Sequence, residues 1–231
     1  MPAARRLAVL FDLDGTLIDT VELLLDSVRH AFRGRTGRAP TEAEWVAGIG
    51  TPLATQLRPY AADDAELASL VEGYRTYQRE HHDRLTRPFP GALETVATLR
   101  SRGHPLGIVT SKGDEIAHRS LGYVGLLPSM DVVIGCDSCS RHKPDPEPVH
   151  VALERLGHAA DEALFVGDSP HDMASGRAAG VVTVAALWGP FTREMLAPTA
   201  PDFHIERITE LPALVERLEA RRIVGRKAAS G

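Results

Sequence analysis

An unbroken apolar run from Leu7 to Phe11 ends in Asp12-Leu13-Asp14-Gly15-Thr16 and continues through Leu17-Ile18 to Asp19. Such a run without polar interruption reads as a buried strand of a sheet covered on both faces. Nothing about folding asks for two carboxylates two positions apart at its end. Ligands of parallel sheets bind in the crevice beyond the C-terminal ends of the strands, so Asp12 is a candidate nucleophile or metal ligand. Taken alone, Asp14-Gly15 is equally a turn signal and Asp12 a satisfied loop residue. The rest of the chain has to decide.

Further strands with the same character follow, but only after a long interruption. From residue 20 to 86 the pattern is helical. Val21, Leu24, Leu25, Val28, Ala31 and Phe32 recur at three and four residues, as do Leu67, Leu70, Val71, Tyr74 and Tyr77. Between these two helices, Thr41 to Tyr60 holds one or two shorter ones, broken by Gly48-Ile49-Gly50-Thr51-Pro52. Arg87-Pro88-Phe89-Pro90-Gly91 closes the stretch as a proline-rich return linker.

From Gly91 onward strands and helices alternate. Strands are expected at 105–109, 131–134, 163–166, 181–185 and 203–205, and helices at 92–102, 114–121, before Gly157 and from Leu211 to Arg222, followed by a disordered basic tail. This predicts a doubly wound, Rossmann-like parallel α/β sheet with an inserted all-helical domain. The boundaries expected are 1–19 and 87–231 for the α/β core and 20–86 for the helical insertion.

The length of 231 residues suffices for that arrangement, and 43% hydrophobic with 25% charged residues is ordinary for a globular protein. A net charge of −5 and a pI near 6.1 give no support to a nucleic-acid or anionic-membrane partner. No apolar stretch approaches the roughly 20 residues of a membrane span, and the start lacks the apolar region of a signal peptide. A cytoplasmic monomer or homodimer is the expectation. The lone C-x-x-C, Cys136 and Cys139, lacks a second Cys/His pair at zinc spacing, although His142 offers a third ligand. It reads as two small apolar residues in a loop.

What stands at the strand ends is the chemistry. In a parallel sheet every strand points its C-terminus the same way, so Asp12 and Asp14, Thr110 and Ser111, and Asp168 and Asp172 are expected along one edge, with Lys143 in reach. Four carboxylates in one crevice repel each other unless a cation sits among them. All-oxygen ligands around a shared phosphate point to Mg²⁺. Ser169 reads as an N-cap, Pro170 as N1 and Gly180 as C′, which puts Asp172 in the first helical turn near Asp168, either beside the ion or simply improving the helix end.

Taken together these segments resemble the haloacid dehalogenase superfamily. Asp12-Leu-Asp14-Gly-Thr16, Thr110-Ser111, Lys143-Pro144 and Gly167-Asp168-x-x-x-Asp172 are similar, in order, to its four motifs, and the likeness spans residues 7 to 208. The segment 20–86 is similar to the helical cap of the family's first cap class.

The resemblance implies a phosphatase in which Asp12, ionised at neutral pH, captures the phosphoryl group as an aspartyl-phosphate. Asp14 then serves as general acid and base. Mg²⁺ is held by Asp12, Asp168 and the Asp14 carbonyl, with Asp172 behind them. Thr110, the Ser111 amide and Lys143 hold phosphoryl oxygens. Family members that cleave carbon–halogen bonds lack an acid at the position of Asp14. Those that cleave phosphonates use a cap lysine, and this chain has none before Lys112.

Pro88 to Glu94, His142 to Pro148 and Val166 to Asp172 are similar to the phosphoglycolate phosphatase and pyrophosphatase branch. The alternatives are a β-phosphoglucomutase-like isomerase and, more remotely, a non-catalytic binding protein on the same fold. The partner expected is a small phosphorylated metabolite. Gly50 and Arg58 are the candidates for substrate specificity, with His81 and His82 near the hinge and Trp188 at the crevice mouth.

Overall fold

The computed structural model describes residues 5–229, with side chains described for residues 5–221. The chain opens with strand β1 (Ala8–Phe11), and a tight turn leads to the two-residue β2 (Ile18–Asp19). Four helices follow: α1 (Val21–Ala31), α2 (Glu42–Gly48), α3 (Leu53–Leu57) and α4 (Asp64–Leu85). Strand β3 (Arg87–Pro88) then brings the chain back, and α5 (Ala92–Ser101) and β4 (Leu106–Val109) open the alternation. It continues through α6 (Asp114–Tyr123), β5 (Val132–Ile134), α7 (Glu147–Leu156), β6 (Ala163–Gly167), α8 (Pro170–Ala179) and β7 (Val182–Ala186). Helix α9 (Arg193–Leu196), β8 (Phe203–Ile205) and α10 (Leu211–Ala229) complete it.

Six strands form one sheet in the order β5-β4-β1-β6-β7-β8, with every pair parallel. β1 lies inside, and the chain crosses to β4 on one side of it and later to β6 on the other. That reversal of strand order is the place where a parallel sheet opens a crevice. Side chains alternate along β1: Leu7, Val9 and Phe11 enter the core under α5, α6 and α10, while Ala8 and Leu10 enter the core under α7 and α8. Both faces are buried, which is why the sequence run is apolar throughout. Registers fix the edge: Phe11 stands opposite Ile108 on β4 and Val166 on β6, and the Asp12 amide donates to the Val166 carbonyl at 2.8 Å.

The helices between β2 and β3 have a core of their own, built from Val28, Ala31, Trp45, Leu57, Leu70 and Tyr74. Thr41 closes a capping box with Glu44 at the start of α2, and Asp63 caps α4. A smaller cluster joins them to the sheet: Ile49 from the α2–α3 loop packs with Met173, Ala185, Phe191 and Leu196.

Two expectations need correction. The proline-rich stretch at 87–91 is more than a linker, since Ile18 pairs with Pro88 and Asp19 with Arg87 in an antiparallel ladder that ties together the exit and return of the chain. Proline tolerates that position because a two-residue edge ladder does not need its missing N–H. The last helix also runs past Arg222 to Ala229, so the stretch expected to be a disordered tail begins as helix.

Close packing inside the sheet gives a direct test. Leu10 fills the space above Gly107, where an added Cβ would stand 2.8 Å from Leu10 Cδ2 and 2.6 Å from Val132 Cγ1. Leu10→Ala is expected to cost about 2–5 kcal/mol and Gly107→Ala about 1–3 kcal/mol in denaturant unfolding. In a double-mutant cycle the second change should cost less in the presence of the first, because the shortened side chain frees the space.

Candidate active site

The edge beyond β1 gathers residues from four distant segments. Lys143, in the loop before α7, is 3% exposed and donates from Nζ to Asp12 Oδ1 at 2.7 Å, to Asp172 Oδ1 at 2.5 Å and to the Val109 carbonyl at 3.3 Å. A cis peptide bond joins it to Pro144. Asp172 is placed by the start of α8, where Ser169 caps the helix reciprocally with it, Pro170 follows and Gly180 ends the helix in the left-handed conformation. Asp172 does serve the helix end, through one oxygen bound to Ser169, while its other oxygen accepts from Lys143.

Asp168 is fully buried at the end of β6 and accepts the Thr16 hydroxyl on Oδ1 at 2.8 Å. Its Oδ2 is buried with no partner, a costly state for a carboxylate oxygen. Two glycines leave it room. A Cβ at Gly15 would lie 2.6 Å from that oxygen, and one at Gly189 would lie 2.5 Å from Asp168 Cβ.

Asp12, Asp168 and Asp172 present oxygens that all lie within 4.8 Å of one another. When ionised, the three carry two more negative charges than Lys143 offsets. Burial is the main force on Asp12 and pushes its pKa up to about 7; Lys143 pulls the other way and Asp172 adds repulsion. Asp168 is held well above the usual carboxylate range, by burial first and then by Asp172 and Asp12. Burial alone would lower Lys143, but Asp12 and Asp172 outweigh it and keep the ammonium charged.

Burial thus opposes ionisation of Asp12, and a cation beside it would act in the other direction. The excess negative charge, the orphaned Asp168 oxygen and the glycine-lined space fit a metal ion, and an all-oxygen set suits a hard divalent one.

Asp14 faces away from that trio. Its Oδ1 accepts Thr20 Oγ1 at 2.6 Å and Lys112 Nζ at 2.5 Å, and Lys112 is itself almost fully buried. Sequence reasoning missed both partners. Lys112 stands two residues past Thr110 in the same strand-end loop, and Thr20 lies six residues past Asp14; proximity to the motifs was the available signal. Thr110 is buried at the end of β4, and its hydroxyl accepts the Lys112 amide at 3.2 Å. The Ser111 hydroxyl donates to the Gly50 carbonyl at 2.5 Å. Gly50 has φ +100, and a Cβ there would stand 2.7 Å from Ser169 Oγ. Its loop thus reaches both the β4 and the β6 ends of the site.

Above this edge a cleft of about 550 Å³ opens toward the helices, floored by Asp12, Asp14, Thr110 and Ser111 and roofed by α4 and the 49–56 loop. Arg58 does not line it. The side chain pairs with Asp64 at 2.6 Å and with the Ala61 carbonyl, so its place as a specificity candidate is corrected. The arginines that do line the cleft are Arg75, Arg79 and Arg119. His82 is fully buried and bridges α4 to Ser120 of α6 at 2.8 Å, while His81 stacks on Tyr77. Trp188 donates to the Thr16 carbonyl at 2.9 Å, a packing role over the first loop. Cys136 and Cys139 are free, and burial pushes the Cys136 thiol up to about 11 with Asp137 adding to it, so it stays protonated at neutral pH.

Carboxylates with two lysines at a sheet switch point are suited to phosphoryl chemistry, and comparison with known proteins gives the family. Residues 9–186 match the sequence profile of the haloacid dehalogenase-like hydrolases, and the chain belongs to that family. It is an enzyme, a hydrolase. Pyrophosphatase PpaX of Bacillus pumilus is 38% identical over 208 residues, covering 90% of this chain and 95% of the relative. Its counterpart from Halalkalibacterium halodurans is 36% identical over 211 residues, covering 90% and 95%.

Among solved structures, a hydrolase from Pseudomonas syringae superposes with a TM-score of 0.83 at 24% identity, covering 92% of this chain and 99% of that one. A protein described as a predicted phosphoglycolate phosphatase from Haemophilus somnus gives 0.81 at 22% identity, covering 90% and 97%. At such identities these structures speak for the fold. Among the described residues no helix is long and apolar enough to cross a membrane.

The electrostatics predict a stability signature. A carboxyl whose pKa is raised on folding favours the folded state below its unfolded pKa, and that contribution is lost as pH rises through the folded value. Asp168→Asn keeps an acceptor for Thr16 and removes the charge. In EDTA at about pH 8 it should melt above wild type, with the gap closing toward about pH 5. Wild type should gain stability on adding a divalent cation, and the variant much less. A variant melting below wild type at the higher pH would contradict this account.

Proposed function

We propose that this chain is a Mg²⁺-dependent phosphatase acting on a small phosphorylated metabolite, of the phosphoglycolate or pyrophosphate kind, through an aspartyl-phosphate on Asp12. The observation that carries the reading is the buried set of Asp12, Asp168 and Asp172 within 4.8 Å, offset by a single lysine. A site with that excess of negative charge at a sheet switch point suits a cation and an anionic substrate together. The relatives named pyrophosphatase PpaX favour a phosphate ester or anhydride as the substrate.

Asp12 attacks phosphorus: the Asp12 O–P bond forms as the bond to the leaving oxygen breaks. Asp14 gives the departing oxygen its proton, then takes one from the water that cleaves the acyl phosphate. Thr20 and Lys112 both bind Asp14 Oδ1, which leaves Oδ2 for that exchange. The Thr110 hydroxyl, the Ser111 amide and Lys143 hold the phosphoryl oxygens as charge redistributes. The Asp12 and Asp168 carboxylates and the Asp14 carbonyl would hold Mg²⁺, with Asp172 behind them, and the ion would supply the positive charge that an anionic phosphate needs beside a carboxylate nucleophile.

Residues 20–86 act as a cap over the cleft, separate from a core of 1–19 and 87–231. Gly50 joins the two parts through the Ser111 hydroxyl, and its lack of a side chain permits the close approach to Ser169.

Phosphate release from phosphoglycolate, pyrophosphate and β-glucose 1-phosphate tests the reading. With Mg²⁺, free phosphate is expected from at least one of the first two, abolished by EDTA and by Asp12→Asn. Lys143→Ala should lower kcat by roughly a hundredfold or more, as loss of one donor to developing charge does elsewhere. Glucose 6-phosphate as product would instead make the enzyme an isomerase, and unchanged turnover in Asp12→Asn would remove the nucleophile assignment.

A further inference from the structure

The cleft receives four cationic side chains, Lys112, Arg75, Arg79 and Arg119. Three of them are committed. Lys112 is bound to Asp14, Arg79 to Glu72 and Thr76, and Arg119 to Asp83 and the Arg79 carbonyl. Arg75 makes no ion pair or hydrogen bond among the described residues. It belongs to α4 on the roof of the cleft, and its charge is felt, without a salt bridge, by Glu72 one turn earlier and by the Cys136 thiol of the core. Glu115 and Asp137 line the cleft from the core side, yet neither lies within ion-pair distance of it.

The neighbours of Arg75 on the same turn are also unpartnered. Tyr74 is 4% exposed and Gln78 8%, both line the cleft, and neither hydroxyl nor amide has a hydrogen-bond partner among the described residues. Their polar ends stay open to the cleft rather than sealed inside protein, so a bound ligand meets them where water otherwise does. A guanidinium only donates, and its fork matches a carboxylate or a phosphate. In the phosphatase reading the phosphoryl group sits on the core side of the cleft, at Thr110 and Ser111, with Lys143 bound to the neighbouring Asp12. An anion read by Arg75 therefore belongs to the part of the substrate that leaves.

We infer that Arg75, flanked by Tyr74 and Gln78, is the specificity-determining group of the cleft, and that the substrate is a small phosphoester or phosphoanhydride whose leaving group carries a second anionic group. This rests on the phosphatase reading and narrows it. Arg75 is exposed at the helix surface, so replacing it leaves the core of the helical segment intact.

The test compares kcat/KM for phosphoglycolate and pyrophosphate with that for phenyl phosphate, whose leaving group has no second charge. Arg75→Ala should lower the selectivity for the doubly anionic substrates over phenyl phosphate at least tenfold, chiefly through KM, and Arg75→Lys should recover part of it. Arg79→Ala, which removes a committed charge from the same rim, should shift that ratio less than twofold. An unchanged ratio in Arg75→Ala, or an equal fall in Arg79→Ala, overturns the assignment while leaving the phosphatase standing. A wild-type enzyme that releases phosphate from none of the three overturns both.

Discussion

Three carboxylates and one ammonium are buried together where the parallel sheet parts, and the rest of the molecule is arranged to hold them there. Placing such groups out of water is unfavourable unless each charge is matched. Lys143 matches one of the three, through contacts of 2.7 and 2.5 Å to Asp12 and Asp172. The remainder shows as raised carboxyl pKa values and an unsatisfied Asp168 oxygen. The fold tolerates this because the strands beneath are covered on both faces and their registers leave the loops little freedom. Such an excess of carboxylate oxygens suits a cation, which would match the charge that Lys143 leaves over.

The helical segment supplies what the sheet lacks. It has its own core, a two-residue ladder at its root and a small apolar contact around Ile49. The contact of Gly50 with Ser111 ties its loop to the end of β4, at the edge of the cleft. Helix α4 serves both parts: Leu70 enters the bundle core, Tyr74 belongs to that core and also borders the cleft, and Arg75 and Gln78 line the cleft.

Much of this was legible before any coordinates. The strand at 8–11, the helix that starts at Pro170 and ends before Gly180, and the strand at 203–205 follow from apolar runs and cap residues, which act locally. The gathering of Asp12, Asp168, Asp172 and Lys143 followed from one rule about parallel sheets. Other features were not legible, because they depend on pairings between distant segments. The β2–β3 ladder looked like a linker because two residues carry too little pattern to show a period. Arg58 and Arg75 are indistinguishable as sequence: both are arginines on the helical segment. One forms a salt bridge with Asp64, whereas the other sits at the roof of the cleft with no salt bridge among the described residues. Lys112 passed unnoticed beside Thr110, since only the folded chain brings Asp14 to its ammonium.

The sequence by itself determined the order of elements, the two-sided burial of the sheet and the set of residues that meet at its edge, because periodicity, capping and strand direction are properties of short stretches. Tertiary structure decided which charges are matched and which are left over, how far burial shifts Asp12, and which arginine faces the cleft. Those are differences between competing neighbours at a few ångströms, and no local pattern encodes them.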